Sequence, residues 1–388
     1  MMTLMRTRVV FLFLFSSTPA AAQRPAPGTA QAPVRFQLRE TLRINGSDHD
    51  FTKLGPVRAG ANGVFVADVT ELKVHEFTPA GAHRRTVGRR GAGPGEFESI
   101  GSYGIIGDTL WVADYQLARV TKFVGGRVVG TITPSAAAAA SGWATPAALL
   151  PDGQAIFKSA VDGNRLRSGA PQPLAVLRGS SSASSLDTLM RFSINSSIMA
   201  LPSGGGTFYA TQPFSVDPVV AVSPNGAWVL RAEGTLEGNR RGNVDVEMLD
   251  GRGKPRFRTA MTTDVERIPP SVVDSAVADM VAKRRDPNLA KSVRTALRVP
   301  AAFPLVRGAV VGSDGVSWIR LRAKGGKDTW RILSSSGQQT GSAVVANGVE
   351  VTTLDGSHVW AIERDADGVE SVVKFRVCRV GAADCNRS

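Results

Sequence analysis

Asn62-Gly63-Val64-Phe65-Val66-Ala67-Asp68 and Gly107-Asp108-Thr109-Leu110-Trp111-Val112-Ala113-Asp114 state one short phrase twice. Each is a turn followed by an apolar strand that holds one aromatic residue and ends in an aspartate. The beat returns at Asp152-Gly153-Gln154-Ala155-Ile156-Phe157 and at Asn225-Gly226-Ala227-Trp228-Val229-Leu230. It comes twice more, at Asp314-Gly315-Val316-Ser317-Trp318-Ile319 and Asp355-Gly356-Ser357-His358-Val359-Trp360. The anchors Phe65, Trp111, Phe157, Trp228, Trp318 and Trp360 are spaced 46, 46, 71, 90 and 42 residues apart. Asn-Gly and Asp-Gly are hairpin signals, because tight hairpin turns need positive φ. Three of the spacings match a four-stranded propeller blade, and the two long ones leave room for insertions.

Further strand-turn-strand patterns follow most of the beats, as in Leu72–Phe77, Pro79-Ala80-Gly81 and His83–Val87. The last unit has a third strand at Val369–Val377 and little chain after it, while Val34–Leu42 is an orphan strand before the first beat. Pairing these two would supply the missing outer strand and leave no open edge. The expectation is an all-β chain: a six-bladed β-propeller over residues 34–388, closed by the N-terminal strand. Gly91-Ala92-Gly93-Pro94-Gly95-Glu96-Phe97, with the paired Val66-Ala67-Asp68 and Val112-Ala113-Asp114, resembles the signature of NHL-repeat and TolB-like six-bladed propellers. That resemblance covers residues 51–132 best and implies a secreted propeller of the bacterial envelope. No helix is expected after the glycines, so a nucleotide-binding loop is a poor reading of Gly91–Gly95.

Residues 1–22 read as a signal peptide. Arg6 and Arg8 precede a short apolar core, Val9–Phe15, and Ala20-Ala21-Ala22 offers a cleavage site after Ala22. The apolar core is far shorter than the roughly 20 residues that span a bilayer. A periplasmic or secreted protein follows, with residues 23–33 as a mobile leader and no transmembrane segment. At 43% hydrophobic and 20% charged residues, the composition is that of a globular chain rather than a disordered one.

One departure from the beat is helical. Val272, Val273, Ala276, Val277, Met280 and Val281 recur at helical spacing, as do Leu289, Val293, Ala296 and Leu297. The spacing predicts helices over about 271–284 and 288–298, inserted between the fourth and fifth blades. They serve either as a packing brace or as a lid or partner-binding arm.

Three residues after each anchor the chain reaches one rim, where Asp68, Asp114, Arg231 and Glu363 are the candidate ligand-binding residues. Oxygen ligands there could hold a divalent cation, and a metal-assisted hydrolase or lyase is the alternative function. The competing reading is that Asp68 and Asp114 cap the turns that follow them. The four histidines, His49, His75, His83 and His358, make a poor zinc set: the strand pattern puts His75 and His83 in outer strands, leaving only His49 and His358 near a channel. No serine has a placed base, so no catalytic residue is assigned, and no cofactor is required. Cys378 and Cys385, the only cysteines, are expected to form a disulfide in an oxidising compartment.

The formal net charge is +13, and residues 237–331 hold 19 Lys and Arg against 11 Asp and Glu. Lys283-Arg284-Arg285 is the strongest run and the candidate contact for an anionic partner, with Arg84, Arg85, Arg89 and Arg90 as a smaller cluster. Secretion argues against nucleic acid. A non-enzymatic binding or scaffold module, facing an envelope protein or an anionic envelope polymer, is the leading expectation.

Overall fold

The computed structural model describes residues 33–133, 144–159, 165, 170–180, 185–194, 198–203, 206–237, 240–282, 289–322 and 328–382. The chain divides into Met1–Ala32 and Pro33–Ser388, and every described element belongs to the second unit. The expected signal peptide, and the leader up to residue 32, lie outside the described residues.

Four sheets have four strands each. The first comprises Arg58–Gly60, Gly63–Asp68, Lys73–Phe77 and His83–Val87, and the second Ser102–Ile106, Thr109–Asp114, Arg119–Val124 and Arg127–Ile132. The third runs Thr145–Leu149, Gln154–Lys158, Gln172–Ser180 and Asp187–Ile194, and the fourth Val219–Val222, Trp228–Glu237, Arg241–Asp250 and Pro255–Asp264. Each is an antiparallel meander in sequence order, as hairpin-rich β sequence dictates. The beat strands are buried because both faces pack against neighbours: Gly63–Asp68 is buried at every position. Of the anchors, Trp111 and Trp360 are each 1% exposed, whereas Trp228 is only half-buried. Trp228 donates its indole N–H to the Ser313 carbonyl at 3.1 Å and stacks beneath Arg256.

The remainder corrects the sequence expectation. The last seven strands and the N-terminal one do not form two further separate blades, and the ring of six is replaced by four four-stranded sheets and one eight-stranded sheet. Its order is Val306–Val311, Ser317–Arg322, Asp328–Leu333, Gln339–Val344, Val34–Ile44, Glu370–Arg379, His358–Arg364 and Val349–Asp355. The two end strands, Val306–Val311 and Val349–Asp355, pack against each other, so this sheet is nearly closed on itself. The N-terminal strand is the cause. It pairs antiparallel with Glu370–Arg379, with Leu38 opposite Val377 and Ile44 opposite Val372. Its other edge pairs parallel with Gln339–Val344, placing Val34 opposite Gly341 and Phe36 opposite Ala343. Hydrogen bonding therefore continues where a blade boundary was expected. Gly341 permits it: a Cβ there would lie 2.3 Å from the Phe36 ring and 2.6 Å from the Val34 carbonyl oxygen.

The helices are α1, Pro270–Ala282, and α2, Leu289–Ala296. Pro270 suits a first helical position, where no intrahelical N–H is needed. They link the fourth sheet to the eight-stranded sheet rather than interrupting a six-bladed ring. Val277, Leu289 and Val293 are buried against Met199 and Leu201 of the two-stranded hairpin Ile198–Ser203 and Gly206–Thr211. Arg294 pairs with Asp274 across the two helices at 2.9 Å, and Gln212 donates to the Ala296 carbonyl at 3.0 Å. The first strands of neighbouring sheets pack against one another from the first sheet to the third; that of the fourth sheet packs against Val306–Val311, and that of the first against Val349–Asp355.

Candidate functional site

The two aspartates that end the first two beats are built alike. Asp68 accepts the backbone N–H of Thr52 at 2.7 Å, the Thr52 hydroxyl, and the N–H groups of Thr70 and Glu71, each at 3.1 Å. Asp114 accepts from Glu98 N–H at 2.7 Å, from the Ser99 hydroxyl at 2.6 Å, and from the N–H groups of Gln116 and Leu117 at 2.9 and 3.0 Å. Burial pushes both carboxyls up, but these hydrogen bonds outweigh it and hold both below the usual carboxylate range. Their oxygens tie the loop before each beat to the turn after it. The other two candidates are engaged elsewhere. Arg231 lies 3.4 Å from Glu247, and Glu363 lies 2.5 Å from Arg43. Among the described residues, no hydrogen bond or ion pair joins any two of the four, and no group of three His, Cys, Asp or Glu is placed to hold a metal ion.

Lys283, Arg284 and Arg285 lie outside the described residues. Another part of the basic run lines a polar cavity of about 260 Å³, with Arg241, Arg322, Arg331, Asp264 and three threonines in its walls. Arg322 is held there by Glu266 at 2.8 Å. Cys378 is buried at the end of its strand, and no free cysteine occurs among the described residues; Cys385 lies outside them. Three histidines gather where the sequence suggested separation. His49 and His83 have ring centroids 5.6 Å apart, His75 and His83 6.0 Å, with Phe51 and Phe77 between and beneath them. His49 thus stands against the outer strands of the first sheet, not at a channel. His75 Nδ1 and His83 Nε2 are both 3.1 Å from the Thr86 hydroxyl, which occupies one ring nitrogen of each.

A cavity lies between the first and second sheets, at the end of the beat strands opposite Asp68 and Asp114. Hairpin turns at Asn62-Gly63, Gly107-Asp108 and Gly125-Gly126 converge there around about 290 Å³. Phe65, Leu110 and Phe123 make an apolar floor, because the inward positions of both sheets face the gap. Arg84 and Arg85 stand at the rim, sharing Glu76 as partner at 2.8 and 3.0 Å. Arg84 also donates to the Asn62 carbonyl at 3.0 Å. Arg85 crosses to the second sheet, where its Cδ would be 2.9 Å from a Cβ on Gly126. Gly126 has φ +83°, so it supplies both the turn and the space. Two guanidiniums on one carboxylate leave one positive charge in excess, while Asp108 lies at the exposed mouth. The turns and the arginines were visible separately in the sequence; their convergence was not.

No family model matches the chain. No curated protein matches it either. The resemblance to NHL-repeat and TolB-like six-bladed propellers is therefore not sustained, in agreement with the strand pairing. Among solved structures, a member of the DUF4221 family from Bacteroides vulgatus ATCC 8482 is similar at 7% identity and a TM-score of 0.51, over 89% of this chain and 99% of that one. This is a likeness of fold alone. A protein of Bacteroides fragilis NCTC 9343 matches at 11% identity and TM-score 0.44, covering 89% and 99% of the two chains. Streptogramin B lyase matches at 9% identity and TM-score 0.41, covering 88% and 98%. Neither of the latter carries an argument. No described helix is long and apolar enough to cross a membrane.

Proposed function

We propose that the protein is a non-enzymatic binding module of the bacterial cell envelope, and that the cleft between its first two sheets takes a small amphipathic anion. The observation that carries this reading is the pairing of an apolar floor with two arginines held in place by one glutamate. An acyl or aryl body would cover Phe65, Leu110 and Phe123, and its acidic group would meet the free N–H edges of Arg84 and Arg85. Phe65, Leu110 and Phe123 keep only 8%, 4% and 3% of their surface exposed, so the apolar contribution is small and affinity in the millimolar range is expected. The metal-assisted hydrolase or lyase gains no support, because the oxygens of Asp68 and Asp114 are already committed to backbone donors. A periplasmic or extracellular setting rests on the N-terminal sequence, and an anionic envelope component fits the chemistry of the cleft and of the basic cavity.

Titration with 8-anilinonaphthalene-1-sulfonate, competed by dodecanoate, tests the cleft. The expected result is one saturable site that is displaced by dodecanoate and weakened at least fivefold in an Arg84→Met, Arg85→Met variant. Non-saturable binding, or affinity unchanged in the variant, overturns the reading.

A further inference from the structure

The polar cavity between the fourth sheet and the eight-stranded one is built around an arginine that the fold holds in place. Arg322 ends the strand Ser317–Arg322, and its side chain is 16% exposed. Its Nε donates to Glu266 at 2.8 Å, and its guanidinium stands 4.1 Å from the centroid of the Phe303 ring. Its backbone N–H donates to the Leu305 carbonyl at 3.0 Å. Of the guanidinium donors, the carboxylate takes the Nε–H alone. The N–H groups of both terminal nitrogens keep no hydrogen-bond partner among the described residues, although the side chain lines the cavity.

Two more arginines line the same space. Arg331 is half-buried and Arg241 exposed, and neither side chain has an ion pair or a hydrogen bond among the described residues. Thr263 and Thr329, both half-buried, bring hydroxyls that likewise have no partner there. The strand pattern explains the convergence. Thr329 and Arg331 are two positions apart in Asp328–Leu333 and so share a face, while Arg241 lies opposite Asp264 at the open end of the fourth sheet's outer hairpin. Basic residues on the other face of the eight-stranded sheet are paired: Asp328 holds Arg307 at 3.4 Å and Arg320 at 2.6 Å. Asp328 precedes Thr329 in the strand, so it points away from the cavity. That leaves Asp264 in the wall and Glu266 on Arg322 as the carboxylates at the cavity. Against the three guanidiniums they leave one positive charge in excess.

We propose that this cavity is a binding site for a phosphoryl oxyanion, either free phosphate or the phosphate monoester of a small molecule. Arg322 and Arg331 offer guanidinium edges that match phosphoryl oxygens in paired, charge-assisted hydrogen bonds, and Thr263 and Thr329 donate to the oxygens that remain. A tetrahedral phosphate accepts in several directions, as donors from two different sheets require, whereas a planar carboxylate has only its two oxygens. Arg322 is already fixed by Glu266 and Phe303, so little side-chain freedom is lost there on binding. A volume of about 260 Å³ exceeds what a bare phosphate fills, and the polar walls suit a hydroxylated body attached to it. The site shares no residue with the cleft between the first two sheets, so the two readings stand or fall separately.

Isothermal titration of the full chain with inorganic phosphate, glycerol 3-phosphate and succinate, at constant ionic strength in chloride, tests it. The expected result is saturable binding of a phosphoryl ligand, with succinate clearly weaker. Tighter binding of glycerol 3-phosphate identifies an organic phosphate as the source, and equal or tighter binding of inorganic phosphate identifies the free ion. Arg331→Met should weaken that binding at least tenfold, a loss of about 1.4 kcal/mol, while Arg84→Met in the outer cleft leaves it unchanged. Arg322→Met also removes the contacts with Glu266 and Phe303 and can fail to fold. Arg331 has no ion pair or hydrogen bond to lose, so Arg331→Met, with its fold checked by circular dichroism, is the deciding variant. No saturable heat from either phosphate, succinate bound as tightly, or wild-type affinity in Arg331→Met overturns the proposal.

Discussion

Replacing Asp114 with alanine separates a structural carboxylate from a ligand-binding one. The wild-type side chain is 2% exposed and accepts from the N–H groups of Glu98, Ser99, Gln116 and Leu117 and from the Ser99 hydroxyl. Truncation does not cost the same at each of these. Glu98 and Gln116 are exposed and can turn to water, whereas Ser99 is 5% exposed and its N–H and O–H would be stranded. A stranded buried donor costs about 1–3 kcal/mol, so the two on Ser99 together set a loss of about 3 kcal/mol. Asp114→Asn keeps one acceptor oxygen without its charge and should lose about half as much. The pH dependence has a definite sign. The folded carboxyl is held below its ordinary range, so its contribution is complete above the unfolded pKa and is lost as pH falls through the folded one. Wild type and Asp114→Ala should therefore differ most near neutrality and converge in strong acid. Urea denaturation at several pH values measures this. A loss below about 1 kcal/mol at neutral pH refutes the reasoning, and so does a stabilisation of wild type by calcium that disappears in Asp114→Ala.

Three further outcomes are expected. Gly341→Val should destabilise by about 2 kcal/mol, as overpacking does, because its Cβ would fall within the Phe36 ring contact; hydrogen exchange should rise at residues 34–36, and unchanged protection there would count against the parallel seam. Burial, with the His83 charge second, holds His75 at about 4 against an ordinary 6.5, so stability should fall as pH drops from about 6.5 to about 4 and then level, by about 1.5 kcal/mol once partial exposure is allowed for; His75→Gln should flatten that window in pH-dependent melting curves. Mass spectrometry of unreduced protein should find a linked peptide holding Cys378 and Cys385, and two freely alkylated thiols would exclude the pair.

The beat was legible because it is local. An Asp-Gly or Asn-Gly turn followed by an apolar strand is decided by a few neighbouring residues, and Gly153, Gly226, Gly315 and Gly356 all adopt the positive φ that the sequence asks for. The count of separate blades was not legible, because it depends on which edges meet. Val34–Ile44 has two usable edges, and nothing in its own residues says that the second will pair with Gln339–Val344. Gly341, the residue that admits Phe36, looks in sequence like an ordinary weak point of a strand. At the site level, Asp68 and Asp114 attracted attention as acids on a rim, and both readings of them could be written from the sequence. Distances to Thr52 and Ser99 were needed to show where their oxygens go.

The two ends of the first pair of sheets divide the work of holding and binding. At one end, Asp68 and Asp114 lock each loop to its neighbour through short, buried hydrogen bonds, leaving no acceptor free for a ligand. At the other end, the turns are closed by glycines that offer little side chain, so a cavity opens over strands that are themselves buried. Phe65, Leu110 and Phe123 already pack in one cluster beneath the cavity, so its opening is set by the turns above them. Arg85 keeps it propped, anchored on Glu76 in one sheet and lying over Gly126 in the next. Gly126→Ala would press directly on that prop and is strained by its φ. It should therefore weaken ligand binding in the cleft far more than it weakens the fold, whereas Asp114→Ala should do the reverse.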